Sequence, residues 1–132
     1  DHYLDSLARL QRWSQNARLI LNGHDDAITD LPARIESTYK NLLRRIGKAV
    51  AALNESLMIA EICSAVYGQM VGYNQLLVIE KTGAYVEYLY ERGFIEITNP
   101  EELENGHPAR YRRLRDISDS EILPKASSHV FI

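Results

Sequence analysis

The sequence contains a single cysteine, Cys63, in 132 residues. One cysteine cannot form an internal disulfide, so a disulfide-stabilised secreted domain is excluded and a reducing cytoplasm is expected. Apolar neighbours in a predicted helix indicate a buried, unreactive thiol. No apolar run approaches the roughly 20 residues of a membrane-spanning helix, and the acidic, mixed start does not resemble a signal peptide. We therefore expect a cytoplasmic protein without a membrane partner.

Sequence motifs of common catalytic sites are also missing. The seven glycines occur singly, so there is no phosphate-binding loop, and no Gly-x-Ser-x-Gly turn could present a nucleophilic serine. No His-x-His pair or His-Glu-x-x-His helix gathers the ligands that zinc requires. We therefore expect that this chain alone is not an enzyme. The four histidines are His2, His24, His107 and His129.

The composition is that of an ordinary soluble domain. Hydrophobic residues make up 45% of the chain and charged residues 25%, which excludes disordered and fibrous classes. The net charge of -3 argues against binding nucleic acid through the overall field of the protein.

The periodicity predicts three principal helices and a hairpin. Residues 3–15 carry an apolar stripe at helical spacing, and residues 17–22 are interpreted as a short buried strand ended by Asn-Gly. Asp30 can cap a long second helix that has Pro32 in its first turn. Its predicted apolar face consists of Ile35, Tyr39, Leu42, Ile46, Val50 and Leu53.

The second half of the chain follows the order of a winged helix. A short apolar run at 57–59 leads into a helix that ends at Gly68, and a third long helix runs from about Tyr73 to Arg92. Strands at 94–98 and 109–114 then flank a polar loop, and the chain ends in a tail without clear period. The fold class predicted is mainly α with a small β-hairpin. On the third helix, Val78, Thr82, Tyr85, Val86 and Leu89 are expected to share one face.

One histidine lies where a metal ligand could be presented. The apolar run 19–21 ends in Asn-Gly and is followed by His24, Asp25 and Asp26. A strand end fixes the backbone and the following loop lets an imidazole reach outward. The alternative is that these residues form an ordinary polar turn, because one histidine cannot hold a metal.

The returning strand carries the one basic stretch, at Arg110, Arg112, Arg113 and Arg115. These side chains could contact a phosphate backbone or an acidic substrate, or could simply charge a solvated edge strand against aggregation. The third helix has a net charge of -1, which disfavours docking in a DNA groove. Its tyrosines, Tyr85, Tyr88 and Tyr90, suit contact with protein.

Four segments in order resemble the C-terminal part of bacterial metallo-β-lactamase-fold hydrolases that carry a winged-helix extension. One of them is Asp30 with Arg34 and Ile35, which leads into the linking helix. The segment 3–7 (YLDSL) is similar to the family's Tyr-Leu-x-Ser-Leu helix, and 19–24 (LILNGH) to the strand and Gly-His that supply the last metal ligand. The segment 80–89 (EKTGAYVEYL), followed by Gly93, resembles the winged-helix signature. Asp25 and Ala27 depart from the pattern, since glycine and proline are common there.

The resemblance implies a chain of three parts. Residues 1–30 would be the helix-strand remnant of an αββα metallo-hydrolase domain, 31–118 the winged-helix domain and 119–132 a C-terminal tail. His24 would complete a site for two zinc or similar divalent metals, together with a His-x-His-x-Asp-His motif in a missing upstream domain. The parent would be a metal-dependent hydrolase of the thioesterase, glyoxalase-II-like or nuclease type. In it, the winged helix would shape substrate access or a dimer contact.

Two alternatives remain open. The chain could be a stand-alone oligomerisation module that uses the third helix, or a DNA-binding regulator that uses the arginine strand. The acidic third helix places the regulator last, so nucleic acid is an unlikely partner.

Overall fold

A computed structural model describes residues 2–21, 23 and 26–123 of the chain. It is mostly helical with one small antiparallel sheet of three strands, which confirms the predicted fold class, mainly α with a small β-hairpin. Two compact units divide between Leu42 and Leu43. This division lies inside the second helix.

The first unit begins with helix α1, His2–Ser14. Its predicted apolar stripe is present, but only Leu7 of that stripe is buried, whereas Tyr3, Leu10 and Trp13 are exposed. An amphipathic helix normally gains its stability by covering such a stripe. Within the described residues, the apolar face of α1 is therefore largely left open.

The predicted strand at 17–22 is wrong. In its place, Ile20 and Ile28 form an isolated bridge, with backbone N–O distances of 3.0 and 2.8 Å, and Leu19 and Leu21 are exposed. The physical reason is that the described residues supply no neighbouring strand, and a lone extended segment cannot satisfy its backbone groups or cover both faces.

Helix α2 spans Leu31–Ala52 and begins as the sequence predicts. The Ala33 N–H donates to the Asp30 carboxylate over 3.0 Å, and Pro32 lies in the first turn. This cap satisfies one of the free donors of the helix start. The predicted apolar face is mostly buried, with Ile35, Ile46, Val50 and Leu53 among the most covered side chains of the chain.

The second unit is built around two further helices, α3 (Ile59–Tyr67) and α4 (Tyr73–Glu91). Both glycines of the connecting turn, Gly68 and Gly72, have positive φ angles, of 76° and 69°, which other residues rarely adopt. The α4 residues predicted to share one face are all buried, and Cys63 is buried as predicted. Those α4 residues are Val78, Thr82, Tyr85, Val86 and Leu89.

The sheet contains β1 (Leu57–Met58), β2 (Ile95–Ile97) and β3 (Arg110–Arg113) in the order β1-β3-β2. Strand β3 is therefore central, and both of its neighbours are antiparallel to it. The expectation that the arginine strand could be a solvated edge strand is wrong. The short run at 57–59 adds a strand on its far side and uses its remaining backbone groups.

The polar loop between β2 and β3 contains a single helical turn, α5 (Pro100–Leu103), and is closed by the buried Asn99. The Asn99 side chain accepts from the Arg110 N–H at 2.8 Å and donates to the Pro108 carbonyl at 3.1 Å. A side-chain amide that joins both ends of a loop replaces the backbone pairing that the loop interrupts.

Part of the region grouped with the tail is folded. Helix α6 spans Asp119–Ile122, and Ile122 and Leu123 are buried. The Tyr88 hydroxyl donates to the Ile122 carbonyl over 2.7 Å, which ties α6 to α4. The sequence shows no period here because a single turn needs only one or two buried side chains to attach it. Residues 124–132 lie outside the described residues.

Candidate functional site

The predicted metal ligand His24 and its neighbour Asp25 lie outside the described residues. Their role as ligand and possible outer contact stays a prediction. Further out on either side, Ile20 and Ile28 form an antiparallel bridge. The following carboxylate, Asp26, is exposed.

The described residues do not form a metal site of their own. Nowhere in residues 2–21, 23 and 26–123 do three or more histidine, cysteine, aspartate or glutamate side chains come together as a metal would require. Because stable zinc sites need three or four protein ligands, the described residues do not fit a complete site.

The arginine strand is the other site that the sequence predicts, and the structure pairs each of its arginines with a carboxylate. Arg112 is in register with Glu96 on β2, and its guanidinium lies 2.9 Å from that carboxylate. Arg110 reaches across to α3, where it lies 3.3 Å from Glu61, and also donates to the Ser56 carbonyl at 2.8 Å.

The two arginines at the end of the strand have partners further along the chain. Arg113 lies 3.1 Å from Asp116, and Arg115 lies 2.7 Å from Glu121 in α6. Arg115 also lies over the Phe94 ring at 5.9 Å. The positive charge that the sequence places on this strand is thus matched by local negative charge.

The Arg115–Glu121 pair has a clear electrostatic consequence. The Arg115 hydrogen bond, followed by hydrogen bonds from the Ser118 backbone and hydroxyl, lowers the pKa of Glu121 to about 2. The same carboxylate closes a capping box with Ser118 at the start of α6. Glu121 therefore joins the start of α6 to Arg115 through one set of charged hydrogen bonds.

Sequence reasoning did not identify these four carboxylates. Glu96 could have been found from the hairpin register, since it pairs directly with Arg112. The Ser-x-x-Glu pattern ending at Glu121 is a capping-box signal that was available in the tail. Glu61 had no such signal, because its approach to Arg110 depends on how α3 packs beside the sheet.

The tyrosines predicted to form a contact surface on α4 are mostly engaged inside the second unit. The Tyr85 hydroxyl lies 2.9 Å from that of Tyr67, and burial, with this hydrogen bond, raises the pKa of Tyr67. Tyr88 bonds the Ile122 carbonyl and lies under Arg92, 4.3 Å from ring to guanidinium. Only Tyr90 of the three is exposed. A protein that binds α4 would therefore contact residues other than Tyr85 and Tyr88.

Among the described residues, no helix combines the length and apolar character needed to cross a membrane.

Comparison with known proteins finds a similar solved structure. No family model matches the chain, and no curated protein matches it. Among solved structures, it is similar to a metallo-β-lactamase family protein from Thermus thermophilus, with a TM-score of 0.67 and 26% sequence identity. The match covers 84% of this chain and 32% of that protein, so the chain corresponds to about a third of its length. The fold of this chain is thus similar to that of one part of a metallo-β-lactamase family protein.

Proposed function

We propose that this chain is the non-catalytic C-terminal winged-helix region of a metallo-β-lactamase-superfamily hydrolase. The observation that carries the proposal is the open apolar face of the first unit. Trp13 is 74% exposed and Leu21 79%, and Tyr3, Leu10 and Leu19 are exposed beside them in the chain. So many large apolar side chains in a segment of about twenty residues are typical of a surface that another domain covers.

The solved neighbour supports the identity of the covering domain. Because about two thirds of that metallo-β-lactamase family protein has no counterpart in this chain, the proposal assigns the covering surface to the equivalent upstream hydrolase domain. In this proposal α1 and the segment after it are the last part of that domain. The helices and sheet from 31 to 118 are its winged-helix extension, as the order of α3, α4, β2 and β3 supports.

The metal chemistry belongs to the upstream domain in this proposal. His24 would contribute one ligand, and the remaining ligands of a two-metal site would come from a His-x-His-x-Asp-His motif. Bound metal would supply a hydroxide nucleophile for an ester, thioester or phosphodiester. The second unit would shape substrate access or a dimer contact.

Trp13 offers a direct test, because it is the sole tryptophan of the chain. In the chain alone we expect fluorescence as red-shifted as that of tryptophan in water and readily quenched by acrylamide. Adding the upstream domain, prepared without its own tryptophans, should shift the emission to the blue and protect it from quenching. Trp13→Glu should abolish this association, since it places a charge on the covered face.

Two further observations test the catalytic side. Elemental analysis of this chain should find no stoichiometric zinc, and a tightly held equivalent would contradict the proposal. The coding sequence upstream of Asp1 should contain His-x-His-x-Asp-His, and a different upstream domain would overturn the assignment of the parent.

A further inference from the structure

A second exposed apolar surface lies on the second unit, at the start of α4. We call Val71, Tyr73, Leu76 and Leu77 the α4 apolar face. Val71 is 85% exposed and Leu76 67%. The opposite side of the same helix is buried, so α4 is rigidly held while this face is presented to solvent.

The chemistry of this face excludes several partners. The twelve residues 68–79 contain no charged side chain. A nucleic-acid backbone would therefore find no cation to pair with its phosphates. An acidic peptide would likewise find no cation in this stretch, so an apolar and largely uncharged partner is favoured.

We propose that the partner is a second copy of this chain, packed through the α4 apolar face about a twofold axis between Leu76 and Leu77. Tyr73, Leu76, Leu77 and Glu80 are spaced by three, one and three residues, which places them on one side of the helix. In an antiparallel pair about that axis, Leu76 of one copy lies opposite Leu77 of the other. A symmetric contact of this kind requires a self-complementary surface.

The polar ends of the face are complementary in the same arrangement. The axis that pairs the two leucines also places Tyr73 opposite Glu80, at both ends of the contact. The phenol hydroxyl can donate to the side chain of Glu80, whose oxygens accept hydrogen bonds. A second copy thus provides a donor for the polar group at the edge of the face.

The size of the face sets the strength of the contact. Three side chains in the first two turns of α4, together with Val71 just before the helix, present roughly a few hundred Å². A stable dimer of standard size buries about 800 Å² on each partner, so a weak dimer with a dissociation constant on the order of 100 μM is expected. This inference rests on the proposed function, which gives the second unit a role in either substrate access or a dimer contact. It selects the dimer contact.

The test is sedimentation velocity over a dilution series reaching about 1 mM, well above the expected dissociation constant. All variants carry Trp13→Glu, so that the open face of α1 cannot cause association. The expected result is a concentration-dependent dimer that Leu76→Glu weakens by at least about tenfold, because it buries a carboxylate between leucines. Leu114→Glu is the matched control, since Leu114 is 55% exposed and lies outside the face. Tyr73→Phe should weaken the dimer severalfold by leaving Glu80 without its donor.

Two results would overturn the inference. The Trp13→Glu protein could remain monomeric at every concentration, or Leu76→Glu and Leu114→Glu could change association equally. Circular dichroism of each variant verifies that it is folded. The sedimentation experiment tests only the dimer contact. The assignment of the chain to a hydrolase is tested separately by the upstream coding sequence.

Discussion

The two compact units differ in how far their apolar side chains form a core. In the second unit one side of α4 is buried with apolar residues of α3, β2 and α6, and Ile62, Leu89 and Ile122 are almost completely covered, while the α4 apolar face stays exposed. In the first unit Trp13, Leu19 and Leu21 are exposed. Burial of apolar surface is the main favourable term in folding, so the first unit lacks much of the stabilisation that the second has. The second unit therefore has a core of its own, whereas the first unit exposes the apolar surface that we propose an upstream domain covers.

The largest expected effect is a matched pair of leucine truncations. Leu89→Ala should lower the free energy of unfolding by about 2–5 kcal/mol, because it removes buried methyl groups and leaves a cavity. Leu21→Ala should change it by less than about 0.5 kcal/mol, because its side chain is already in solvent. Urea unfolding followed by circular dichroism measures both. Equal losses of unfolding free energy in the two variants would contradict the difference in burial between the two units.

Asn99 tests whether the loop of the second unit is part of its folded structure. Asn99→Ala removes the bonds to Arg110 and Pro108 and leaves their backbone groups unpaired, so a loss of about 1–3 kcal/mol is expected. Asn105→Ala is the control, since Asn105 lies exposed in the same loop. The same urea experiment compares them, and an equal loss in both variants would contradict the role given to Asn99.

The elements that the sequence predicts well are those whose stability is local. The α2 start follows from Asp30 and Pro32, and the buried face of α4 follows from helical spacing alone. The sequence interpretation fails where the outcome depends on distant neighbours. Residues 17–22 have strand-like composition but no partner strand among the described residues, and β3 is central only because residues 57 and 58 come to lie beside it. The candidate site is predicted less fully, because the motif around His24 concerns residues that the structure does not describe.

The pH dependence of α6 provides a smaller test of how firmly the second unit holds its last helix. Bonding to Arg115 and Ser118 lowers the pKa of Glu121 from 4.5 to about 2 in the folded protein. A carboxyl with a depressed folded pKa stabilises the fold above its unfolded pKa, and that contribution is lost as the pH falls through about 2. Glu121→Gln should flatten the stability profile between about pH 5 and pH 2, measured by urea unfolding.

The smallest change in the free energy of unfolding is expected for Arg112→Gln. This variant also tests whether the arginine strand has a structural or a binding role. Its pair with Glu96 is partly exposed, so Arg112→Gln should cost less than about 1 kcal/mol. A double-mutant cycle with Glu96→Gln should assign most of that cost to the pair. Since each arginine of the strand already has a carboxylate partner, we expect no salt-sensitive retention of duplex DNA in a gel-shift assay. If the protein instead retained DNA, with binding that weakens with salt and is lost in Arg112→Gln, the arginines would have exchanged their carboxylate partners for DNA phosphates. In that event the second unit would present a binding surface on its sheet as well as the α4 apolar face, and the two units would differ in the size of their cores but not in exposing a binding surface.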